Sequence, residues 1–307
     1  MAPANPGRGL RRTYIQKNVA LFTMFAPAIV FFVVFRYVPM LGLVVSFQDY
    51  NLRLGMWESD WVGLRNFRLL FSNAAMFRIV RNTFVLSVTR IVVGFPIPII
   101  LALLLNEVRK SWFKRSVQTI VYLPHFLNWV IVGGLILALF GADRGTLNLI
   151  LQRLGFDKVP FLYQTPSWLT IYFGSGIWKE MGWGSIIYLA ALAGVDPGLY
   201  ESASIDGATR LQQIFRITIP SIVPTMVILL ILAVERVMEV GFDQIYVLSN
   251  PAVSRSSEVI ATFSYSMAQR GTNFGIVTAM GFFESLVGLI LVVAVNRIAR
   301  GFKQGLW

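Results

Sequence analysis

The sequence contains no cysteine, a single histidine at His125, and few charged residues, which make up 14% of its 307 positions. Without cysteine, the chain can form no disulfide, thiolate metal site or cysteine nucleophile. It also has no H-E-x-x-H pattern, so a metal-dependent or intramembrane enzyme is excluded and His125 is expected to pack or hydrogen-bond. The phosphate-binding pattern G-x-x-x-x-G-K-[ST] is missing too, and we therefore expect neither nucleotide hydrolysis nor a cofactor in this chain.

Apolar residues are abundant instead. Hydrophobic side chains account for 56% of the sequence, and the mean hydropathy is +0.65. A single soluble core cannot hide so many apolar side chains, so the sequence predicts an integral membrane protein. The net charge of +12 comes from basic residues scattered among the apolar runs. This pattern favours cytoplasmic loops facing anionic lipid over a nucleic-acid interface.

The apolar runs predict an all-α membrane fold. A transmembrane helix needs about 20 predominantly apolar residues. Six runs satisfy this length, near 20–47, 80–106, 117–141, 168–192, 221–249 and 274–297. The first run exceeds the roughly 7–15 apolar residues of a signal peptide and lacks a clear cleavage site, so it is predicted to be a span. The sequence has no internal repeat or linker, and we expect a single domain over 1–307.

An even number of spans places both termini on one side of the membrane. Basic residues cluster after the second and the last spans, which indicates that these segments are cytoplasmic. The expected cytoplasmic segments are 1–19, 107–116, 193–220 and 298–307, and the expected external segments lie near 48–79, 142–167 and 250–273. Arginines in the first external segment weaken this bias. That segment is polar enough to form either a small cap or an ordinary connector.

The segment 193–220 is a polar insert between the fourth and fifth predicted spans. Asp196 followed by Pro197 is typical of a helix start, because Asp caps free N–H groups and Pro fits the first turn. Gly207 permits a sharp turn with positive φ. Beyond it, apolar residues recur at helical spacing, at Leu211, Ile214 and Phe215. These features predict a helix–turn–helix that can transmit a docked protein's motion, or alternatively an amphipathic loop at the membrane surface.

The pattern Glu-x-Ala-x-x-x-Gly, separated by nine residues from Ile-x-Ile-Pro, resembles the EAA motif of ABC importer membrane subunits. It starts at Glu201 and ends at Pro220. The family pattern has Ala where this chain has Ser202, and Leu where it has Ile219. Over nearly its full length the chain is also similar to LplB-like polysaccharide and oligosaccharide permeases. The segments that carry this likeness are 35–40, 61–67, 94–98, 105–107, 122–126, 187–192 and 241–244.

The resemblance implies a type I ABC importer permease in a bacterial cytoplasmic membrane, which is the inner or the plasma membrane. Its implied partners are a second homologous permease, two ATPase subunits that bind ATP and Mg, a solute-binding protein and a carbohydrate. By resemblance, Glu201 makes a charge-assisted contact with an ATPase, Ala203 packs closely and Gly207 forms the turn. The implied ATPase-coupling residues are Glu201, Ser202, Ala203, Asp206, Gly207, Ala208, Ile217 and Pro220.

Charged residues in the predicted fifth span are candidates for substrate contact. Glu235, Glu239 and Asp243 recur at i, i+4 and i+8, so they would share one helix face beside Arg236. Such charges usually face a water-filled cavity or the bundle interior, and here they could accept hydrogen bonds from sugar hydroxyls. Alternatively, these acids and Glu284 form an internal network with Arg36, Arg90 and Arg236. Further candidates, for stacking on sugar rings or for anchoring at the interface, are Tyr122 and Trp129.

A stand-alone proton- or ion-coupled transporter is the competing function. Glu235, Glu239, Asp243 and Glu284 would then form its relay. The absence of an inverted repeat within the sequence and the presence of the docking loop argue against this hypothesis. The leading prediction is therefore a subunit without a catalytic centre, which forms the pathway for an oligosaccharide in an ATP-driven importer.

Overall fold

The computed structural model describes residues 18–301, and helices dominate this part of the chain. An apolar helical run, Val19–Phe47, matches the predicted first span, and most of its side chains are exposed. It is made of α1 (Val19–Phe32), a π-helical turn (Val33–Tyr37), α2 (Val38–Met40) and a 3-10 helix (Leu41–Phe47). The terminal segments predicted to be cytoplasmic, 1–19 and 298–307, lie mostly outside the described residues.

A small folded cap follows the first span. Strand β1 (Gln48–Asp49) pairs antiparallel with β2 (Asp60–Trp61), with α3 (Gly55–Glu58) between them and α4 (Arg65–Ser72) after them. The buried Asn66 side chain donates two hydrogen bonds of 2.9 Å, to the carbonyls of Ser46 and Gln48. A Cβ at Gly275 in the last helix would lie 2.7 Å from Asn66 Nδ2. The segment is therefore a cap packed on the last helix rather than an open connector.

The second predicted span, near 80–106, starts earlier than expected. Helix α5 (Ala74–Gly94) begins after Asn73, whose side chain accepts hydrogen bonds from the N–H groups of Ala75 and Met76. Helix α6 (Pro96–Glu107) continues the run, because Pro is tolerated in a first helical turn. Together they form an apolar run of 34 residues.

The third predicted span, near 117–141, is wrong as a single straight helix. Helix α7 (Ser111–Tyr122) and a 3-10 turn (Leu123–Phe126) meet α8 (Trp129–Phe140) at an angle of 106°. Asn128 caps the new helix, because its side chain accepts a hydrogen bond of 2.9 Å from the Ile131 N–H. The segment is thus a broken span or a re-entrant loop.

A buried lysine holds the inside of this bend. Lys179 is 7% exposed, and its Nζ donates to the carbonyl of His125 at 2.8 Å and lies 3.4 Å from Glu180 Oε1. The other oxygen of Glu180 contacts His125 Nδ1 at 3.0 Å. The His125 ring stacks on Trp183, with centroids 4.5 Å apart. These contacts agree with the packing and hydrogen-bonding role predicted for the single histidine.

The long helix α10 (Thr165–Ala193) is at the centre of the bundle and matches the predicted fourth span. Short helix α9 (Thr146–Arg153) precedes it, and α10 packs against α5, α6 and α7. Its Trp168 and Tyr172 rings are stacked, with centroids 5.3 Å apart, in the largest buried apolar cluster. Trp168 Nε1 also donates to the Leu248 carbonyl at 2.8 Å.

The fifth predicted span, 221–249, is wrong at its outer end. Helix α11 (Pro197–Ile205) is followed by one helical run, Arg210–Glu235, which stops at Glu235. Residues 236–241 form tight turns, in which the Glu239 N–H donates to the Arg236 carbonyl at 2.9 Å. The run comprises α12 (Arg210–Gln213), a π-helical turn (Ile214–Thr218) and α13 (Ile219–Glu235), and α14 (Phe242–Leu248) follows the break.

The last predicted span corresponds to α17 (Phe274–Gly301), which follows α15 (Ser254–Ser257) and α16 (Ile260–Arg270). Within residues 18–301, four helices are long and apolar enough to cross a membrane, and the bent pair gives a fifth. Helix α10 has 29 residues, about 1.5 Å each, but it contains Lys179 and Glu180 and is less apolar. The count of six spans therefore stays a prediction.

A substitution at Gly182 on α10 tests how closely this helix packs against the bent segment. A Cβ there would collide with the Val121 carbonyl and lie 3.0 Å from the Tyr122 ring, whereas Gly174 on the same helix has no neighbour within 4 Å. Gly182→Ala should lower the thermal midpoint of the purified protein by several degrees, because overpacking displaces backbone. Gly174→Ala should leave the midpoint unchanged or slightly higher, since alanine favours helix. Equal midpoints for the two variants would contradict this packing.

Lys179→Met tests the contacts that Lys179 makes with the His125 carbonyl and Glu180 at the bend. The variant leaves the His125 carbonyl without its donor and removes a cation from Glu180, so we expect a loss of about 2 kcal/mol in stability, measured by thermal unfolding in detergent. Lys158→Met is the control, because Lys158 is exposed and its one side-chain hydrogen bond within residues 18–301 is to the Asp143 carbonyl, at 3.4 Å. Adding Glu180→Gln to Lys179→Met should recover part of the loss. An unchanged thermal midpoint for Lys179→Met would mean that these contacts do not contribute to stability.

Candidate functional site

The predicted helix–turn–helix is present between α10 and α13. The Asp196 carboxylate accepts a hydrogen bond of 2.9 Å from the Gly198 N–H, which starts α11 as the sequence predicts. Gly207 has a φ of +79°, so it forms the expected left-handed turn. Thr209 and Gln212 then form a reciprocal capping box that starts α12.

Two side-chain contacts that the sequence analysis missed hold this loop together. Gln213 is 5% exposed, and its Nε2 donates to Ser204 Oγ at 2.9 Å, which joins the two helices across the turn. The hydroxyls of Tyr200 and Thr218 lie 3.0 Å apart and join α11 to the base of the fifth span. The second helix also continues into α13 without a break. The loop and the inner part of the span are therefore expected to move as one body.

The implied ATPase-coupling residues differ in exposure. Ala203, Ala208 and Ile217 are half-buried against the rest of the loop. The exposed members are Glu201, Ser202, Asp206, Gly207 and Pro220. Beside them, three large apolar side chains are 66–87% exposed, at Ile205, Leu211 and Phe215. An exposed apolar patch with a polar rim is typical of a protein-binding surface.

A cavity of about 400 Å³ lies where α5, α10 and the break after α13 meet, and we call it the Arg90 cavity. Helix α5 contributes Ser87 and Arg90, and glycines in the walls leave the space open at Gly94 and Gly176. A Cβ at Gly176 would lie 3.4 Å from the Gln244 amide. Other polar residues in its wall are Tyr172, Glu180, Arg236, Glu239 and Gln244.

A second cavity of about 780 Å³ lies between the first span, α13 and α17, and we call it the Glu284 cavity. Its charged lining residues are Arg36, Glu235, Arg236, Glu239 and Glu284. Arg236 and Glu239 line both cavities and form part of the wall between them. The structure thus brings together four of the predicted pathway residues, Glu235, Arg236, Glu239 and Glu284.

The remaining pathway candidates lie elsewhere. Because the helix ends at Glu235, the prediction that Glu235, Glu239 and Asp243 share one helix face is wrong, and Asp243 is exposed at the start of α14. Tyr122 packs beside Gly182, and Trp129 lies beneath the Lys179 cation, 5.6 Å from its ring centroid. Neither aromatic residue lines the two cavities.

The alternative prediction, an internal charge network, can be checked against the distances between the charged groups. Within residues 18–301, no nitrogen of Arg36, Arg90 or Arg236 lies within 4.0 Å of a carboxylate of the four candidate acids. The ion pairs in this part of the chain are Asp49–Arg65, Glu180–His125 and Glu180–Lys179. The charges around the two cavities are therefore not locked in direct pairs.

Comparison with known proteins identifies the family. The model for "Binding-protein-dependent transport system inner membrane component" matches residues 94–304. Two Bacillus subtilis (strain 168) proteins match closely. The polygalacturonan/rhamnogalacturonan transport system permease protein YteP is 43% identical over 92% of this chain and 88% of its own length. Protein LplB is 39% identical over 94% of this chain and 91% of its own.

A solved structure agrees with these relatives. It is a bacterial alginate ABC transporter in complex with an alginate pentasaccharide-bound periplasmic protein. One of its chains has a TM-score of 0.88 and 40% identity, covering 95% of this chain and 98% of that one. This likeness confirms the predicted type I importer permease fold, and the relatives confirm a transport subunit rather than an enzyme. The chain therefore belongs to the binding-protein-dependent transport system inner membrane components, the permease subunits of ABC importers.

Proposed function

We propose that this permease and a second, homologous permease form the pathway through which an ATP-driven importer moves an oligosaccharide. The observation that carries the proposal is the continuity of the exposed docking loop with α13, which ends at the two polar cavities. A push on the loop from below the membrane is thereby delivered to the residues that line the cavities. Such rigid-body transmission is the basis of alternating access.

Two ATPase subunits, which bind ATP and Mg, would supply that push. Glu201 is exposed and available for a charge-assisted contact, and Gly207 gives the sharp turn that presents the loop. The neighbouring exposed apolar side chains Ile205 and Leu211 would lose contact with water on docking. This arrangement supports the coupling roles proposed for the eight residues named for this loop.

The names of similar proteins support the proposed substrate and the way it is delivered. One of them carries polygalacturonan/rhamnogalacturonan transport in its name, and the similar solved structure contains an alginate-bound periplasmic protein. We infer that a solute-binding protein delivers an oligosaccharide to the external side of this chain. The docking loop and both termini would then lie in the cytoplasm, with the basic cluster at Arg109 and Lys110, as the positive-inside rule favours.

Reconstitution tests the function as a whole. The permease pair, its ATPase and its binding protein are placed in proteoliposomes, and uptake of labelled oligosaccharide is followed. Uptake that requires both ATP and the binding protein is the expected result. Uptake that a pH gradient drives without nucleotide would instead support the stand-alone transporter.

Glu201→Lys tests the docking contact. We expect the variant to assemble with the second permease but to lose the copurifying ATPase, with ATP-driven uptake falling about tenfold or more, because a charge-assisted contact becomes repulsive. Glu58→Lys, at an exposed position of the external cap, is the matched control and should behave as wild type. Normal ATPase recovery and uptake with Glu201→Lys would remove Glu201 from the interface.

Gln213→Leu tests the rigidity of the loop separately from docking. Gln213 is buried inside the loop, so the ATPase should still bind, but loss of the bond to Ser204 should loosen the joint. Fewer sugar molecules should then be imported for each ATP hydrolysed. Gln152→Leu, at an exposed position on α9, is the control. An unchanged ratio of sugar to ATP would show that this bond is not needed for coupling.

A further inference from the structure

Within residues 18–301, two buried hydroxyl groups in the Arg90 cavity have no hydrogen-bond partner within 3.5 Å. The side chains of Ser87 and Tyr172 are 4% and 1% exposed, and both line the cavity. Ser87 Oγ and the Tyr172 hydroxyl are unsatisfied polar atoms. Buried polar groups in proteins are nearly always paired, so two of them in one cavity wall are available to bind the polar groups of a ligand.

Arg90 is the third member of this group. It follows Ser87 by one helical turn, so both side chains project from the same face of α5. Its guanidinium lies near enough to the Tyr172 hydroxyl for an electrostatic interaction, and a Cβ at Gly241 would be 3.1 Å from its Nη1. No carboxylate of the described residues lies within 4.0 Å of it. An arginine that faces a cavity inside a membrane bundle without an acidic partner is a candidate site for an anionic group.

The acids in the wall do not cancel this positive charge. Glu180 is engaged by Lys179 and His125 at 3.4 Å and 3.0 Å. Glu239 lies on the turn that also carries Arg236, and both side chains are exposed to the cavity side of the turn. The wall itself carries two arginines, Arg90 and Arg236, and the carboxylate of Glu239 is the one acid in it that Lys179 and His125 do not engage. The cavity therefore favours a ligand that carries negative charge and hydroxyl groups at once.

We propose that the Arg90 cavity binds the carboxylate of a uronate unit, so that the oligosaccharide carried by this permease is acidic. Arg90 would bind the carboxylate through two parallel N–H donors, the geometry in which guanidinium recognises carboxylates best. The Tyr172 and Ser87 hydroxyls would complete its hydrogen bonds, while Glu239 accepts from sugar hydroxyls. The volume of about 400 Å³ lies in the usual range for a small-molecule site. This assignment rests on the proposed oligosaccharide transport.

The first test measures binding without the solute-binding protein, so that its own selectivity does not enter. Tetragalacturonate and its carboxyl-reduced, neutral counterpart are titrated calorimetrically into the purified permease–ATPase complex. Wild type should bind the acid more tightly, and Arg90→Gln should weaken acid binding about tenfold while leaving the neutral sugar unchanged. Arg90→Lys should restore part of the affinity, and Tyr172→Phe should lower it several-fold.

Arg81→Gln is the control for charge and folding, because Arg81 is an exposed residue of the same helix outside the cavity wall. It should bind both sugars as wild type does. Equal affinity of wild type for the two sugars, or equal loss of both with Arg90→Gln, would overturn the assignment. Absence of tetragalacturonate binding to wild type would overturn it as well.

Transport in the reconstituted system separates this inference from the function on which it rests. ATP-driven uptake of tetragalacturonate that falls selectively with Arg90→Gln supports both. Uptake that is insensitive to Arg90→Gln keeps the importer and overturns the carboxylate site. Failure of wild type to import any oligosaccharide, despite binding tetragalacturonate through Arg90, would contradict the importer while leaving the anion site in place.

Discussion

Every backbone N–H and C=O group inside a bilayer must find a partner within the protein, and this constraint governs where the spans of this chain can break. The two breaks, at 127–128 and 236–241, both lie against α10. Lys179 satisfies the His125 carbonyl at the first break. At the second, Gln244 donates to the Tyr172 carbonyl at 2.6 Å. Lys179 thus satisfies a carbonyl that the first break leaves without a helical partner, and Gln244 holds the chain beyond the second break against α10.

The broken fifth span differs in structure at its two ends. The helix–turn–helix loop lies at one end and is joined to the span by the Tyr200–Thr218 contact. At the other end Arg236 and Glu239 lie beyond the end of the helix, and both line the two cavities. In the proposed importer, this span would therefore join the ATPase-contacting loop to the polar cavities within one short stretch of chain.

Much of this architecture could be predicted from sequence, and the reasons for the failures are physical. The apolar runs predicted most helices, and Asp196, Pro197 and Gly207 predicted the loop because caps and turns depend on local residues. The breaks were missed because a hydropathy window averages over residues such as Val237, Met238 and Val240, which are apolar whether or not they are helical. Asn128 is a local signal that a new helix starts at the first break, but no short-range pattern gives the direction that this helix takes.

The polar contacts were hidden for a different reason. Lys179 was not among the predicted site residues, and its partner His125 is 54 positions away. Gln244 and Tyr172 are separated by 72 positions. Pairs so far apart in the sequence can be recognised only when the tertiary fold is known. The same holds for Ser87. The sequence shows a serine in an apolar helix, but only the structure shows that its hydroxyl is buried without a hydrogen-bond partner.

In the proposed importer, the Arg90 cavity belongs to a pathway whose access changes during ATP turnover. Because the sequence has no cysteine, a single Ala233→Cys in the cavity wall can be labelled specifically with a membrane-impermeant maleimide. In oriented membrane vesicles of the assembled transporter, the account predicts labelling from opposite sides of the membrane in the nucleotide-free and the vanadate-trapped states. Labelling that is absent, or that comes from the same side at the same rate in both states, would contradict it.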